Sequence, residues 1–301
     1  MPKIVVVGSS NTDMVVKTER FPEPGETILG GEFYMFPGGK GANQAVAAAR
    51  AGGEVSFICA VGDDLFGQNA LKGYATENIH VSSALVIENE ASGVALITVN
   101  GAGENEIVVA SGTNAKLSID HLKLVLGDTN GDTIFLTQLE TPIETVAFLA
   151  KRAKAGKQKL IINPAPAQTL EDEVLQGLFL ITPNETEAKI LTGITVNDAS
   201  SMESAAKALL DKGVENVIIT LGSRGSFFMN SSTSFIVPAP KVNAVDTTAA
   251  GDVFNGVLSV CIANARSWQD GMAYASRAAA LSVTKMGAQD TAPTIAEINQ
   301  F

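Results

Sequence analysis

Residues 133–164 read TIFLTQLETPIETVAFLAKRAKAGKQKLIINP, and their pattern decides the fold. TIFLTQ and KLIINP are short apolar runs rich in β-branched residues and closed by polar residues or proline, as buried strands are. Between them, IETVAFLAKRAKAG has apolar residues at helical spacing and ends in a glycine suited to a helix C-terminus. Two buried strands joined through a helix run parallel. The alternation extends outward: KIVVVG, VSFICAVG, LFLITP and NVIIT supply further strands, and GANQAVAAARAG and SMESAAKALLDKG further helices closed by glycine. This predicts a largely parallel sheet covered by helices on both faces, with ligands at the carboxyl ends of its strands.

Two segments, residues 14–37 and 94–110, break the alternation. The second reads as a hairpin around Asn100 to Glu104. Strands inserted at these places would pair as a small sheet over the site, a lid whose exposed apolar face suits a dimer contact. The expected division is therefore residues 1–13, 38–93 and 111–301 as the α/β body, with 14–37 and 94–110 as the lid.

The 301 residues, 46% of them hydrophobic, suffice for one large α/β domain or two smaller ones. A formal net charge of -11 argues against nucleic acid or an anionic membrane as a general partner, since both are bound through clustered Lys and Arg. The opening MPKIVVVGSS has too short an apolar run to span a bilayer and lacks a signal-peptide pattern, so a cytoplasmic protein is expected. Cys59 and Cys261 sit in apolar segments without metal-ligand spacing and read as buried free thiols. His80 and His121 lie in polar surroundings and read as surface residues, which leaves carboxylates for acid–base work.

DTTAAGDVFNGVL, from Asp246 to Leu258, places Ala249, Ala250 and Gly251 where an apolar helix begins. Free N–H groups and the positive end of the dipole make such a start an anion site, and small side chains give access to it. Asp252, held ionised there, could take a proton from an attacking hydroxyl, which raises phosphoryl transfer; an ordinary first-turn acid is the alternative. GSSNTD, after the first strand, lacks the GxGxxG spacing of a dinucleotide fold; Asn11 and Asp13 instead suit the vicinal hydroxyls of a sugar, or simply shape a turn. PGGKGANQAVAAA puts Gly38, Gly39, Lys40 and Gly41 before a helix without the GxxxxGK[ST] spacing of a phosphate loop; the glycines admit a ligand to the backbone, with Lys40 and Asn43 as polar contacts, or form a hinge. In TPNETEAKILTG, Asn184 and Glu187 share a helix face, able to meet a nucleotide phosphate and hydrated Mg²⁺ or to cap the helix. Thr220, Gly222 and Gly225 in ITLGSRGSFF form a turn able to line a nucleotide pocket.

In this order, NTD, PGGKGANQAVAAA, NPAPA, TPNETEAKILTG, ITLGSRG, DTTAAGDVFNG and KMGAQ closely resemble the ribokinase family of sugar and nucleoside kinases, from Ile4 to Pro293. GGKGANQAVAA, NGAGEN, NPAPA and ITPNETEA are closer to its ribose-phosphorylating members than to fructokinases or adenosine kinases. The fold implied is α/β: a Rossmann-like three-layer α/β/α arrangement with a mainly parallel central sheet plus a small β-sheet lid. The activity implied is ATP-dependent phosphorylation of D-ribose at O5. Asp252 matches the catalytic base, and the amides of Ala249, Ala250 and Gly251 match the anion hole. Asn11, Asp13, Gly39, Lys40, Asn43 and Glu140 match sugar-contacting positions. Asn184, Thr220, Gly222, Ser223, Arg224, Gly225 and Gly251 match ATP-site positions, with Ser276 flanking the adenine. Glu187 matches the acid associated with Mg²⁺. Asp246, Thr248, Ser282, Lys285, Gly287 and Thr291 match positions around a monovalent cation, K⁺, ligated mostly by backbone oxygens. A homodimer through the lid is implied by the same likeness.

Other acceptors, such as 2-deoxyribose, fructose or adenosine, belong to the same chemistry. A non-catalytic sugar or nucleotide sensor on this fold would be marked by loss of Asp252 or of the glycine-rich turn, and both are present. The missing GxGxxG counts against an NAD-dependent oxidoreductase.

Overall fold

The computed structural model describes residues 3–127 and 131–301; residues 1–2 and 128–130, which the expected division assigns to the α/β body, lie outside the described residues. The strands are β1 (Ile4–Val7), β2 (Asn11–Lys17), β3 (Glu32–Gly38), β4 (Val55–Ile58), β5 (Ala60–Gly62), β6 (Leu85–Ile87), β7 (Gly93–Val99), β8 (Asn105–Ala110), β9 (Ile134–Thr137), β10 (Lys159–Ile162), β11 (Leu180–Ile181), β12 (Asn216–Thr220), β13 (Ser226–Asn230) and β14 (Ser234–Val237). The helices are α1 (Lys40–Arg50), α2 (Leu65–Thr76), α3 (Ile119–Leu126), α4 (Ile143–Gly156), α5 (Asp172–Leu175), α6 (Glu185–Thr192), α7 (Ala199–Asp211), α8 (Ala250–Ala263), α9 (Trp268–Ser282) and α10 (Ile295–Gln300).

The central sheet has the order β14-β13-β12-β11-β10-β9-β1-β4, parallel from β12 to β4 and antiparallel at the β13–β14 edge. Alternation along its strands divides the interior in two. Ile4 and Val6 join the core under α1, α8 and α9, whereas Val5 and Val7 join the core under α3, α4 and α7. This is the three-layer arrangement expected from the alternation. Helix α8 is buried from Asp252 to Ile262 and packs between α1 and α9, so its first turn carries a carboxylate into the interior.

The small sheet has the order β3-β2-β7-β8, with β7 and β8 turning at Asn100–Glu104. Its first strand starts at Asn11, so Asp13 rides on this sheet rather than in a turn. Pairing puts Met14, Met35, Leu96 and Val108 in one row on the face opposite Asp13. Met35, Leu96 and Val108 are exposed there, as is Phe33 beside them.

Three local readings need correction. VSFICAVG is two strands: after β4 the chain bends at Cys59, whose carbonyl accepts the Leu85 N–H, and β5 pairs with β6 in a sheet of its own. LFLITP keeps only Leu180–Ile181 as strand, because Pro183 has no N–H to continue the ladder. Helix α4 is closed by Lys157 in the left-handed region (φ 53°), with Gly156 its last helical residue. Among the described residues no helix is long and apolar enough to cross a membrane.

Candidate active site

The chain emerging from β1 makes a corner, Gly8 to Asn11, against which α1 starts. A side chain on Gly41 would meet the Gly8 and Ser9 backbone at 2.6 Å, and one on Gly38 would strike the Asp13 carboxylate at 2.3 Å. The close approach these glycines allow is thus first to the protein's own corner, which draws α1 over the carboxyl ends of the strands. Glu140, just past β9, accepts the Lys40 N–H at 3.0 Å and the Ser9 hydroxyl, fixing that start.

Helix α8 enters through Ala249, a non-glycine residue in the left-handed region (φ 59°), a costly conformation of the kind found at functional sites. Asp252, 5% exposed, then accepts from Asn43 Nδ2 at 3.0 Å and Gln44 Nε2 at 2.9 Å. The Asn43 amide, turned to donate to that carboxylate, leaves its buried Oδ1 without a hydrogen-bond partner. Asn11, at the head of β2, accepts from Asn114 Nδ2 at 2.7 Å.

Three carboxylates surround one ammonium here. Burial pushes the Asp13 carboxyl up to about 6, Glu140 and Asp252 add to the rise, and Lys40 opposes it. Burial also raises Asp252, against Lys40, Asn43 and Gln44. The Lys40 ammonium is held above its usual range, first by Asp252, then by Glu140 and Glu187, against the effect of burial. Asp13, Lys40, Asn43, Glu140 and Asp252 therefore form one electrostatic unit, with Gly39 at its edge as the residue preceding α1.

The nucleotide-side candidates form a second rim. Asn184 and Thr220 are bridged where β11 and β12 end, and the Thr220 N–H reaches Pro183 O at 2.9 Å. Gly222 and Gly225, both at positive φ, close the turn that presents Ser223 and Arg224. The Arg224 guanidinium is paired with Glu185, so part of its charge is already met. Ser276 is buried in α9. Asn184 and Glu187 make a reciprocal capping box, so the capping alternative is realised, and burial holds the Glu187 carboxyl above its usual range. Among the described residues no group of three or more His, Cys, Asp or Glu could hold a metal ion. An Mg²⁺ near Glu187 would therefore take most of its ligands from nucleotide phosphates and water.

The loop before α8 gathers part of the cation set. Asp246 accepts from the Thr248 N–H at 2.9 Å, the Thr248 hydroxyl at 2.6 Å and the Gly287 N–H at 3.1 Å. Burial would raise its carboxyl, but these hydrogen bonds more than offset that and hold it below the usual range. Val245 and Asp246 bond through their N–H groups to Val283 O, which brings in the chain after Ser282. Ser282 and Thr291 are buried with their hydroxyls on Ala279 O and Ala288 O. Lys285 points to Glu297 at 3.4 Å and is exposed, so its side chain is directed elsewhere. A monovalent cation at these positions would meet the Asp246 carboxylate as the formal negative charge of the set.

Cys59 and Cys261 are buried free thiols; His80 is exposed and His121 half-buried against Ser83 O. Sequence reasoning passed over Gln44, Gln138, Asn163 and Asn114, which hold the site from behind.

A family model described as pfkB family carbohydrate kinase matches residues 1–295, and the chain belongs to that family. The chain is thus a carbohydrate kinase. It is 43% identical to the ribokinase of Haemophilus influenzae over 298 residues, 99% of this chain and 97% of that one. The crystal structure of ribokinase from Thermotoga maritima is similar at a TM-score of 0.90 and 36% identity, covering 100% of this chain and 99% of that one. The structure of Arabidopsis thaliana ribokinase complexed with ribose and ATP gives 0.91 and 30%, covering 99% and 97%.

Proposed function

We propose that the protein transfers the γ-phosphoryl group of ATP to O5 of D-ribose. The observation that carries this reading is the buried Asp252 carboxylate in the first turn of α8, grouped with Lys40, Asn43, Glu140 and Asp13. The unpartnered Asn43 Oδ1 is an acceptor awaiting a hydroxyl, and ionised Asp13 beside Asn11 suits a vicinal diol. With the sugar so held, Asp252 accepts the O5 proton as O5 attacks the γ-phosphorus and ADP departs. The amides of Ala249 and Gly251 receive the charge on the transferring group, joined by that of Ala250 once it leaves Thr247 O, to which it donates at 3.3 Å here. The nucleotide lies along Asn184, Thr220 and Gly222–Gly225, toward Ser276. Bound Mg²⁺ would neutralise phosphate charge, held through water by Glu187; K⁺ would sit at the loop of Asp246, Thr248, Ser282, Lys285, Gly287 and Thr291.

Residues 14–37 and 94–110 act as the lid over the sugar. The exposed outward row of Met35, Leu96 and Val108 on the lid supports a homodimer in which this face meets a second copy of the chain. The two free thiols agree with a reducing, cytoplasmic setting. The test is ADP release from Mg·ATP with D-ribose, 2-deoxyribose, fructose and adenosine in parallel, with K⁺ or a non-activating cation. A K⁺-stimulated preference for ribose is expected; preference for another acceptor would move the sugar assignment, and silence with all four would favour a sensor.

A further inference from the structure

Behind Asp252 lies a chain of buried amides that reaches the site through Asp252. Gln44, fully buried on α1, has its Nε2 at 2.9 Å from Asp252 Oδ1 and 2.9 Å from Asn163 Oδ1. Its Oε1 accepts from Gln138 Nε2 at 2.7 Å. Asn163 turns its own Nδ2 to Thr182 O at 3.4 Å. Gln138 ends the chain, its buried Oε1 unpartnered against Gly8, where a Cβ would stand only 2.0 Å away.

The sense of each amide follows from the carboxylate. Ionised Asp252 can only accept, so Gln44 must face it with its NH₂. That places the Gln44 oxygen away from Asp252, where only a donor is tolerated, and Gln138 supplies one. An inverted Gln44 would set oxygen against oxygen at a fully buried position, a costly arrangement in a buried polar network. The orphaned Gln138 oxygen is the cost left at the far end.

We infer that Gln44 is a positioning residue for the proton-accepting step, with Gln138 fixing the direction of its amide. The inference rests on Asp252 being the base. Gln44 takes one lone pair of Oδ1 and Asn43 one of Oδ2, which sets the plane of the carboxylate and leaves the other lone pairs to the acceptor hydroxyl. Protonation of Oδ1 on the Gln44 side would break the donor pattern, so the chain also favours the ionised base. The charged groups facing Asp252 are Lys40 from α1, Glu140 from beyond β9, Asp13 from β2 and Glu187 from α6; the Gln44 amide adds a neutral donor to that field.

The test compares Gln44→Met, Gln138→Met, their double variant and Asp252→Asn, reading kcat, the KM for D-ribose and the pH profile of kcat. Gln44→Met is expected to lower kcat about 10- to 100-fold with KM changed less than about threefold, and to move the acid limb of the profile to higher pH. Gln138→Met should do the same more weakly, and the double variant should lose little beyond Gln44→Met alone. A general loosening of the core would not move the acid limb. If Asp252→Asn loses turnover while both methionine variants keep wild-type kcat and an unmoved limb, the positioning role is overturned and the base stands. If Asp252→Asn itself retains turnover, the base reading falls and this inference with it. Should Gln44→Met fail to fold, Gln138→Met decides: a lowered kcat with a shifted limb supports the role, and an unchanged profile overturns it.

Discussion

The central sheet and the small sheet are built from similarly apolar residues, yet they treat them differently. Every residue of β1, β4 and β9 is buried, whereas every residue of β8 is exposed. In the first region helices cover both faces, and the carboxylate carried inside, Asp252, is fixed by two amides. In the second, one face presents Asp13 toward the same site and the other presents bare Met35, Leu96 and Val108. In the proposed function, the group that must hold one geometry sits where packing over-determines it, and Asp13, proposed to meet and release the sugar, sits on the sheet with less cover. On the proposed reading the body carries the base together with Lys40, Asn43 and Glu140, while the small sheet contributes Asn11 and Asp13 to sugar capture.

The largest effect belongs to the body. Asp252→Asn should cut turnover by about two to four orders of magnitude while calorimetry finds ribose affinity nearly intact. Asp13→Asn should act on capture, raising the KM for ribose by about 10- to 100-fold, since a hydrogen bond to a charged acceptor is lost. The same carboxyl makes capture pH-dependent. With its ionisation near pH 6, the KM for ribose should rise as pH falls below about 6 and level off near the value of Asp13→Asn.

Stability runs in the opposite sense. The native carboxyl at about 6 lies above its ordinary 3.8, so the folded protein binds more protons than the unfolded chain between those values. Stability from this group is full at low pH and is lost as pH rises through 6. Asp13→Asn should therefore stabilise the ligand-free protein at neutral pH, by up to about 3 kcal/mol, as read by denaturant unfolding. For the proposed homodimer, Met35→Asp with Val108→Asp should shift sedimentation from dimer to monomer and leave the fold intact; a wild-type monomer, or a dimer unchanged by the substitutions, would remove the outward row as an interface. Smallest of all, Lys285→Ala should change activity less than about twofold, because its side chain makes only an exposed ion pair.

The layers of the fold were legible because strand and helix periods differ and glycines punctuate them. The candidate site could be marked out where backbone demands show in residue type, as in the small residues before Asp252 and the glycines around Lys40. The bend at Cys59 was not, since an apolar run reads alike on either side of a turn. Nor was the amide chain behind the base. Gln44 and Asp252 lie 208 residues apart, and a glutamine carries no periodic signal for the carboxylate it will meet. Lys157 shows the same limit locally, taking the left-handed cap that Gly156 beside it was expected to supply.

The most direct measurement is a steady-state comparison of Asp252→Asn and Asp13→Asn with D-ribose and saturating Mg·ATP at pH 7.5 or so, reading kcat and KM together. The first variant should lose kcat with KM changed only a few-fold, and the second should show a raised KM with kcat largely kept. Both variants failing in the same parameter would contradict the division of labour between the body and the small sheet.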